Sequence, residues 1–570
     1  MLRKRCCSDG VIMQTGGRQR RHKTLIMLVT IALVLLVGGA VQAAPGATIT
    51  VDGSCTLADA ITAANSDTAT GNCPAGSGAD TILLNKNVSL SSALPKITTD
   101  MTIQGNKAHE VAGNGGDRIF YVDNNLKQVT FRDLVILGGE AKEGAGIFIG
   151  NDSTVNIEEC EIYKNTATDR GAGIMIHGGS VVSILASNIH DNAAKNDGGG
   201  IYVYYAKSVT IDKDAQISKN TASNGSGGGI NAQYTSLAID NDTVIEENTA
   251  KINGGGIALV KSDMSMNQAR VAGNSAGNDG GGIYATDTKG KKVTITESTI
   301  TKNKTTRKGG GMYAEGVSVS IDKCTIDNND ANDGGGVYLY EVSGMTIATS
   351  TFSGNTATDT GGGVRLSSSD GQMSDSTIFN NMISQGNGQA IYLGDSSKLS
   401  VANSIVAHGK TALLSIQAPQ TPLAVNDCDW DSSSGLGSDG YNLESGTSCK
   451  FTLASDQQKA DPLLGPLQNN GGPTYTHFPR TKSPIIDQGK AVASLDQRGE
   501  SRPVDLSFYA NGGGDASDIG AVEVQKAGPN AVTLQNMRSQ PGTPFLLALF
   551  VVATFVLLGL VIGISEKKYL

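Results

Sequence analysis

Two sequence markers recur through the middle of the chain at a nearly constant interval. Glycine triplets, or close variants of them, end 25 to 29 residues apart, at Gly146, Gly173, Gly200, Gly229, Gly256, Gly282, Gly311, Gly336 and Gly363. Asparagines keep the same interval, at Asn165, Asn192, Asn220, Asn248, Asn274, Asn303, Asn329, Asn355 and Asn381. A fixed period in this range indicates a solenoid, in which each repeat forms one coil and stacks on the next.

Each repeat reads as short strands rather than helices. Two strand-like runs lie between a glycine group and the next asparagine, as in GGGVYLYEVSGMTIATSTFSGNTA. Their apolar residues alternate strictly, which excludes solenoids built from helix pairs. The sequence therefore predicts an all-β fold, a right-handed parallel β-helix of about a dozen coils spaced roughly 4.8 Å apart. We expect each glycine group to form a tight bend where one coil crowds its neighbour.

The alternation also assigns the core. The residue after each glycine group forms one inward ladder and the residue two positions later forms a second. These ladders are Ile147, Ile174, Ile201, Ile230, Ile257, Ile283, Met312, Val337 and Val364, and Ile149, Ile176, Val203, Ala232, Leu259, Ala285, Ala314, Leu339 and Leu366. We expect the asparagine amides to hydrogen-bond from coil to coil, as stacked asparagines do in cross-β assemblies.

The two ends of the chain predict an exported, membrane-anchored protein. Residues 1–43 resemble a signal peptide, with basic residues, an apolar run from Leu25 to Val37 and small residues before a cleavage site after Ala43. A second apolar run, 545–564, is long enough to cross a bilayer and precedes the basic tail 565–570. Basic residues on that side predict a cytoplasmic C-terminus, with the large N-terminal region outside and 527–544 as a linker.

The charge of the exported region argues against nucleic acid as a partner. Between the signal peptide and residue 541 the chain holds 36 basic and 52 acidic side chains, a net charge of −16. Phosphate binding needs a basic surface. Metal cations and neutral glycans fit this charge better.

The cysteines suit an oxidising compartment. Cys55 with Cys73, and Cys428 with Cys449, are locally spaced pairs at the two ends of the exported region, and we predict a disulfide for each. Cys160 and Cys324 occupy equivalent repeat positions about six coils, or roughly 29 Å, apart. No disulfide spans that distance, so both are predicted to be buried thiols.

Three segments resemble known families of surface proteins. The GGGI and FSGN markers resemble the repeats of chlamydial polymorphic outer-membrane proteins, over roughly residues 135–395. GSCTLADAITAANSD at residues 53–67 resembles the CSLREA segment of bacterial surface β-helix proteins, with Ala58 and Asp59 in place of Arg-Glu. DPLLGPLQNNGGPTYTHFPRTKSPIIDQG, DQRGESRP and SDIGAVE, between residues 461 and 523, resemble the choice-of-anchor Q domain. These resemblances imply an N-terminal cap at 44–80, β-helix repeats at 81–410 and a C-terminal cap at 411–526.

The position between the two inward ladders is predicted to face outward, and it is rich in aromatic residues. It holds Phe148, Met175, Tyr202, Asn231, Ala258, Tyr284, Tyr313, Tyr338, Arg365 and, in a degenerate coil, Tyr392. Exposed tyrosines at this spacing can stack on sugars and donate hydrogen bonds. The alternatives are that neighbouring rings only stabilise the sheet, or that they contact a protein partner.

Adjacent coils carry IDKD and IDND, which suggests a cation site. With the isoleucines inward, Asp212, Asp214, Asp240 and Asp242 would face outward as a two-by-two set. Oxygen ligands of this kind suit Ca²⁺. The alternative is a solvated acidic edge.

The sequence favours recognition over catalysis. Exported β-helices include polysaccharide lyases and inverting hydrolases, and the aspartates with Lys213 could in principle serve either reaction. The repeat, however, stays regular through this cluster, and no long cleft-forming loop interrupts it. We therefore expect an extracellular, membrane-anchored protein for adhesion or for recognition of a glycan or a cell-surface protein. The alternatives are a polysaccharide lyase or glycoside hydrolase on a pectate-lyase-like β-helix, and a passive stalk or coat protein.

Overall fold

Three parallel β-sheets surround one continuous apolar core. The computed structural model describes residues 46–287, 290–408 and 426–526, except the side chains of residues 107 and 108. Sheet I has 12 strands, sheet II has 27 and sheet III has 10. A typical coil gives one strand to sheet I, two to sheet II and one to sheet III, which confirms the predicted parallel β-helix.

The strand bounds follow the repeat. Sheet I comprises Phe120–Val122, Ile147–Ile149, Ile174–Ile176, Ile201–Tyr204, Ile230–Gln233, Ile257–Val260, Ile283–Thr286, Met312–Glu315, Val337–Tyr340, Val364–Ser367, Ile391–Gly394 and Cys428–Trp430. Sheet II comprises Thr48–Val51, Asp80–Leu84, Val88–Ser89, Met101–Ala112, Val129–Leu137, Thr154–Glu158, Glu161–Tyr163, Val181–Leu185, Asn188–His190, Ser208–Asp212, Gln216–Ser218, Ser236–Asp240, Val244–Glu246, Asp263–Asn267, Arg270–Ala272, Lys292–Thr296, Thr299–Thr301, Ser318–Asp322, Thr325–Asp327, Met345–Ala348, Thr351–Ser353, Asp370–Ser374, Thr377–Phe379, Lys398–Ala402, Ile405–Ala407, Gly435–Gly440 and Leu443–Glu444. Sheet III comprises Glu140–Glu143, Thr166–Arg170, Ala193–Ala194, Thr221–Ala222, Thr249–Ala250, Ser275–Ala276, Lys304–Thr305, Asp330–Asp333, Thr356–Thr360 and Met382–Ile383.

Both predicted inward ladders are confirmed in sheet I. Ile174 pairs in register with Ile147 on one side and Ile201 on the other, and the same register continues along the sheet. Every member of the two ladders is buried. Burial of branched side chains in stacked rows supplies the main driving force for folding of such a coil.

The glycine groups make the close bends that the sequence predicts. A Cβ atom added at Gly200 would lie 2.7 Å from the carbonyl oxygen of Gly229 in the next coil. At Gly198 the φ angle is 65°, and an added Cβ would lie 2.8 Å from the Cβ of Tyr202. The first position thus requires a left-handed backbone, and the third requires the absence of a side chain.

The asparagines form the predicted amide ladder. The Nδ2 of Asn165 donates to the Oδ1 of Asn192 at 3.0 Å, and the same bond links each later asparagine of the series to the next at 2.9 to 3.0 Å. All nine residues are buried. Each amide up to Asn355 also hydrogen-bonds backbone groups, so the ladder satisfies polar groups that the bend would otherwise leave unpaired.

The N-terminal end of the coil is closed by a short helix, which the alternating pattern did not predict. The helix spans Leu57–Ser66 and buries Leu57 and Ile61 against the first coils. Thr56 caps it, because its hydroxyl oxygen accepts from the backbone N–H of Asp59 at 3.1 Å. The predicted disulfide between Cys55 and Cys73 is confirmed.

The C-terminal region differs from the predicted end cap at 411–526. Residues 426–444 still add strands to sheets I and II, and the predicted Cys428–Cys449 disulfide is confirmed beside them. An antiparallel hairpin follows, with strands Leu464–Gln468 and Thr476–Pro479. The segment 464–524 then contacts the outer surface of earlier coils rather than continuing the stack.

This returning segment lies on the outer surface of sheet II. The Nε2 of Gln497 donates to the carbonyl oxygen of Cys324 at 3.1 Å, and Ala521 donates its N–H to Thr377. Apolar residues of the coil and of the segment form a second core, which contains Phe379, Ile405, Ala407, Leu443, Leu464, Ile485, Ile486 and Ile519. The segment therefore covers one face of the coils from about residue 323 onward.

A buried ionic network holds the segment in place. The Arg502 side chain is fully buried, 3.4 Å from a carboxylate oxygen of Asp375 on the coil and 3.1 Å from one of Glu523. Burial, reinforced by the neighbouring Glu523 charge, raises the pKa of Asp518 to about 7. Breaking such a pair by removing one partner costs about 3 to 5 kcal/mol.

The remaining predictions have two outcomes. Cys160 and Cys324 are buried free thiols, as predicted, and burial raises the pKa of each to about 12. The predicted signal peptide, linker, transmembrane helix and cytoplasmic tail lie outside the described residues. Within the described ranges, no helix has the length and apolar character needed to cross a membrane.

Candidate functional site

The outward position of sheet I forms a column of aromatic side chains. Its rings at Tyr284 and Tyr313 are 5.4 Å apart between centroids and nearly parallel, and those at Tyr313 and Tyr338 are 5.5 Å apart. The three residues pair in register on consecutive coils. The three tyrosines therefore form a continuous row of ring contacts across consecutive coils.

The exposure predicted for this column is wrong. Tyr202, Tyr313 and Tyr338 retain only 1%, 4% and 3% of their accessible surface, and Tyr284 and Tyr392 are partly buried. The rings lie against one another and beneath long cationic side chains. The guanidinium of Arg170 lies 5.2 Å from the Tyr202 ring centroid, and the Lys308 ammonium lies 4.9 Å from that of Tyr338.

The hydroxyl groups of Tyr202 and Tyr313 remain protonated near neutral pH. Burial raises the pKa of Tyr202 to about 12. Burial and the nearby Glu315 carboxylate also raise the pKa of Tyr313, whose hydroxyl donates to Glu315 Oε2 at 3.1 Å. The Tyr313 phenol is thus a hydrogen-bond donor within the fold. Neither phenol is suited to proton transfer near neutral pH.

A second set of rings on the same sheet is accessible. We call it the aromatic ribbon, and it consists of Tyr121, Phe148, His177, Tyr204, Tyr205 and Tyr234. Tyr204 is 38% exposed and Tyr205 is 49% exposed, and the other four are partly buried. The ribbon starts in the outward column and moves toward the following turn over five coils. The sequence feature that could have identified the ribbon is YVYYAK at residues 202–207, because its second and third tyrosines lie outside the outward column.

The rings of the ribbon contact one another at each end. Tyr121 and Phe148 stack with centroids 4.7 Å apart, and Phe148 contacts His177 at 4.9 Å. Tyr205 and Tyr234 are parallel within 4° at 4.2 Å, and Tyr204 meets Tyr205 edge-on at 4.6 Å. Contacts of this kind hold the rings in defined orientations.

Cations flank the ribbon. The Lys96 ammonium lies 4.3 Å from the Tyr121 centroid, and the Lys261 ammonium lies 5.4 Å from that of Tyr234. The Arg118 guanidinium lies 4.5 Å from Phe148 and donates to the carbonyl oxygens of Glu143 and Gly144. Burial lowers the pKa of His177, which is therefore neutral near pH 7.

Among the described residues, the four aspartates predicted to bind calcium do not converge on a common metal site. The strand ends at Asp212, and Lys213 and Asp214 follow with φ angles of 57° and 60°, so the alternation stops there. Partial burial, followed by the neighbouring Asp212 charge, raises the pKa of Asp240. Asp242 repeats the left-handed turn one coil later. In the part of the chain that the structure describes, no three His, Cys, Asp or Glu side chains converge as metal ligands.

A wide depression lies elsewhere, on sheet II. It is about 1080 Å³ in volume and is lined by polar residues such as Thr346, Gln372 and Ser400, with several glycines. It contains none of the aromatic or aspartate candidates. Its lining offers hydroxyl and amide groups but only one Asp and one Lys, so it lacks the paired carboxylates of a hydrolase.

Comparison with known families identifies the architecture. The family described as the right handed beta helix region matches residues 119–314 and 277–452. The chain belongs to this family. A comparison with curated proteins finds no match.

Two solved structures resemble the fold. One is the A-module of the mannuronan C-5 epimerase AlgE6 from Azotobacter vinelandii, at 12% identity over 63% of this chain and 91% of that one, with a TM-score of 0.31. The other is pectate lyase Pel9A, at 14% identity over 78% of this chain and 88% of that one, with a TM-score of 0.21. At these identities the likeness concerns the fold alone.

Proposed function

We propose that this β-helix protein is exported, anchored to the cell surface and used there for adhesion through recognition of a polysaccharide. The apolar C-terminal run at 545–564 and the N-terminal segment 1–43 support export and anchoring. The aromatic ribbon is the recognition surface, instead of the buried tyrosine column. The observation that carries this assignment is the accessibility of Tyr204 and Tyr205 at the end of an ordered row of rings.

The ribbon suits a polymer. It crosses consecutive coils from Tyr121 to Tyr234, and successive coils are roughly 4.8 Å apart, so its rings are distributed over about 19 Å. Aromatic rings fixed by neighbouring side chains can contact the apolar faces of sugars with little loss of conformational entropy. Several weak contacts along one chain add up to useful affinity.

Binding of polysaccharides to the purified full chain tests this proposal. An array of glycans and immobilised polymers would be probed with the wild type and with the double variant Tyr205→Ala and Tyr234→Ala. The expected result is binding by the wild type and at least a tenfold loss in the double variant. Parallel samples with calcium and with a chelator test whether a cation contributes.

A matched control comes from the returning segment. Tyr475 is 51% exposed and lies on another face, so Tyr475→Ala removes a comparably exposed ring and should leave binding unchanged. Equal loss in the control and the double variant would contradict the assignment to the ribbon. A blank array in every condition would favour a protein partner or a passive stalk, and release of product from a bound polymer would indicate a lyase or hydrolase.

A further inference from the structure

The cations along the aromatic ribbon differ from the two arginines that cover the tyrosine column. At the column, Arg170 lies 3.6 Å from Asp197 and Arg365 lies 3.0 Å from Asp333. These charges are neutralised inside the fold. The long side chains of these two arginines cover rings and leave no net charge for a ligand, whereas Lys308, above Tyr338, has no ion pair among the described residues.

At the ribbon, by contrast, the cations have no internal counter-ion. Among the described residues, no carboxylate oxygen lies within 4 Å of Lys96, Arg118 or Lys261. The Glu143 carboxylate acts on Arg118 and on His177 only through space. The two lysines therefore present a positive charge at each end of the ribbon, beside rings that a sugar can contact.

The positions of the two lysines define the length of the site. Lys96 precedes Ile97, which pairs with Val122, so Lys96 lies one coil before Tyr121 in the same outward column. Lys261 directly follows the strand Ile257–Val260, one coil beyond Tyr234. Six coil spacings separate them, or about 29 Å. A ligand that reaches both must be a chain of several sugars.

Because the rest of the exported region is acidic, these lysines determine where a negatively charged polymer is attracted. The exported region carries a net charge of −16, so a negatively charged polymer is repelled from most of the surface. The unpaired lysines at the two ends of the ribbon give local attraction there, and the rings supply the non-polar contacts.

We propose that the aromatic ribbon binds an anionic polysaccharide, an inference that rests on the proposed recognition function. The carboxylate or sulfate groups of the polymer pair with Lys96 and Lys261, while its sugar faces contact the tyrosines. Arg118 supports the site by holding Tyr121 and Phe148 in place. Long-range charge and short-range stacking thus act on the same chain.

The test compares three polymers of similar length with the purified full chain. They are polygalacturonate, which carries carboxylates, dextran sulfate, which carries sulfates, and neutral dextran. Affinities would be measured for the wild type, for the double variant Lys96→Gln and Lys261→Gln, and for the control Lys251→Gln and Lys302→Gln. The control makes the same change in net charge at two exposed lysines outside sheet I.

We expect the wild type to bind at least one anionic polymer tenfold more tightly than dextran. The ribbon double variant should lose most of that preference, whereas the control should change affinity less than twofold. The anionic polymer that binds more tightly identifies carboxylate or sulfate as the recognised group.

Two results would overturn the inference. If dextran binds as tightly as both anionic polymers and depends on Tyr205 and Tyr234, polysaccharide recognition stands and the preference for charge is refuted. If the ribbon and control variants lose equal affinity for the anionic polymers, general charge rather than the ribbon is responsible. Absence of binding to all three polymers, together with a blank glycan array, would refute the proposed function itself.

Discussion

The asparagine ladder predicts a large loss of stability when one of its central members is truncated. The side chain of Asn274 makes four hydrogen bonds. It accepts from the backbone N–H and the Nδ2 of Asn248, both at 3.0 Å, and it donates to Ile245 O at 2.9 Å and to Asn303 Oδ1 at 3.0 Å. Asn274→Ala removes all four bonds from a site that is completely buried.

The cost follows from the groups left behind. The backbone N–H of Asn248 loses the acceptor it has in this ladder, and Ile245 O loses a donor. The Nδ2 of Asn248 keeps its bond to Ile217 O, and Asn303 Oδ1 still accepts from the backbone of residue 274. A buried polar group without a partner costs about 1 to 3 kcal/mol, so we expect the free energy of unfolding to fall by about 4 kcal/mol.

Urea unfolding followed by circular dichroism measures this change, and hydrogen exchange at the Asn248 amide reports it locally. Asn267→Ala is the control, because Asn267 is an outward residue of the strand Asp263–Asn267 and is only partly buried. We expect that control to cost less than about 1 kcal/mol. If both variants lose the same stability, or if Asn274→Ala loses less than about 1 kcal/mol, the ladder does not stabilise the coil as reasoned.

An aspartate at the same site separates hydrogen bonding from shape. Asn274→Asp preserves the acceptor for Asn248 but directs a carboxylate oxygen at Ile245 O and Asn303 Oδ1. Burial would raise the pKa of that carboxyl, so the variant should be more stable at acidic pH and should lose stability as the pH rises. A variant whose stability relative to the wild type is independent of pH would contradict this.

Three further predictions concern the bends, the returning segment and the thiols. Gly198 and Gly344 both have φ near 65°, but only at Gly198 would an added Cβ meet a backbone atom, at 2.5 Å. Gly198→Ala should therefore lower the free energy of unfolding, measured with urea, by at least about 1 kcal/mol more than Gly344→Ala. Equal losses would exclude this contact as the cause. The folded-state pKa of Asp518 is about 7 and its ordinary value is 3.8, so its stabilising contribution is complete at acid pH and is lost as the pH rises through 7. The melting temperature of the wild type relative to Asp518→Asn should therefore fall between about pH 4 and pH 7 and level off above that, and a constant difference would contradict the assignment. Because burial raises the pKa of Cys160 and Cys324 to about 12, peptide mapping should find both unmodified by a thiol reagent in the native protein at about pH 8 and modified after unfolding.

The contrast between Tyr202 and Tyr205 explains why the site could be predicted only in part. Strand alternation places Tyr202 outward, and it is outward, but its ring is covered by Arg170 and by the glycine bend, so 1% of it is exposed. Tyr205 follows the end of the strand, in a turn with φ of 57°, and there its ring is 49% exposed. Direction along a strand is a local property, whereas exposure depends on residues contributed by other coils.

The face covered by the returning segment differs in sequence from the same face of earlier coils, which strand alternation alone does not explain. The first residue of the second sheet II strand is Gln216, Val244, Arg270 and Thr299 in four consecutive coils, and it becomes Thr325, Thr351, Thr377 and Ile405 in later ones. The later residues are all buried, because residues 464–524 lie on them. The change from Gln216, Val244 and Arg270 to a run of threonines accompanies the covering of this face.

The sequence by itself determined the coil. A repeat of constant length with apolar residues at alternate positions buries them by stacking similar coils. The glycines and asparagines determine the bend, because glycine fits its backbone and asparagine pairs its polar groups. The tertiary structure alone decided which outward faces are free. The segment that covers sheet II comes from more than a hundred residues away, and the cations that cover the tyrosine column come from neighbouring coils, so no local pattern contains either contact.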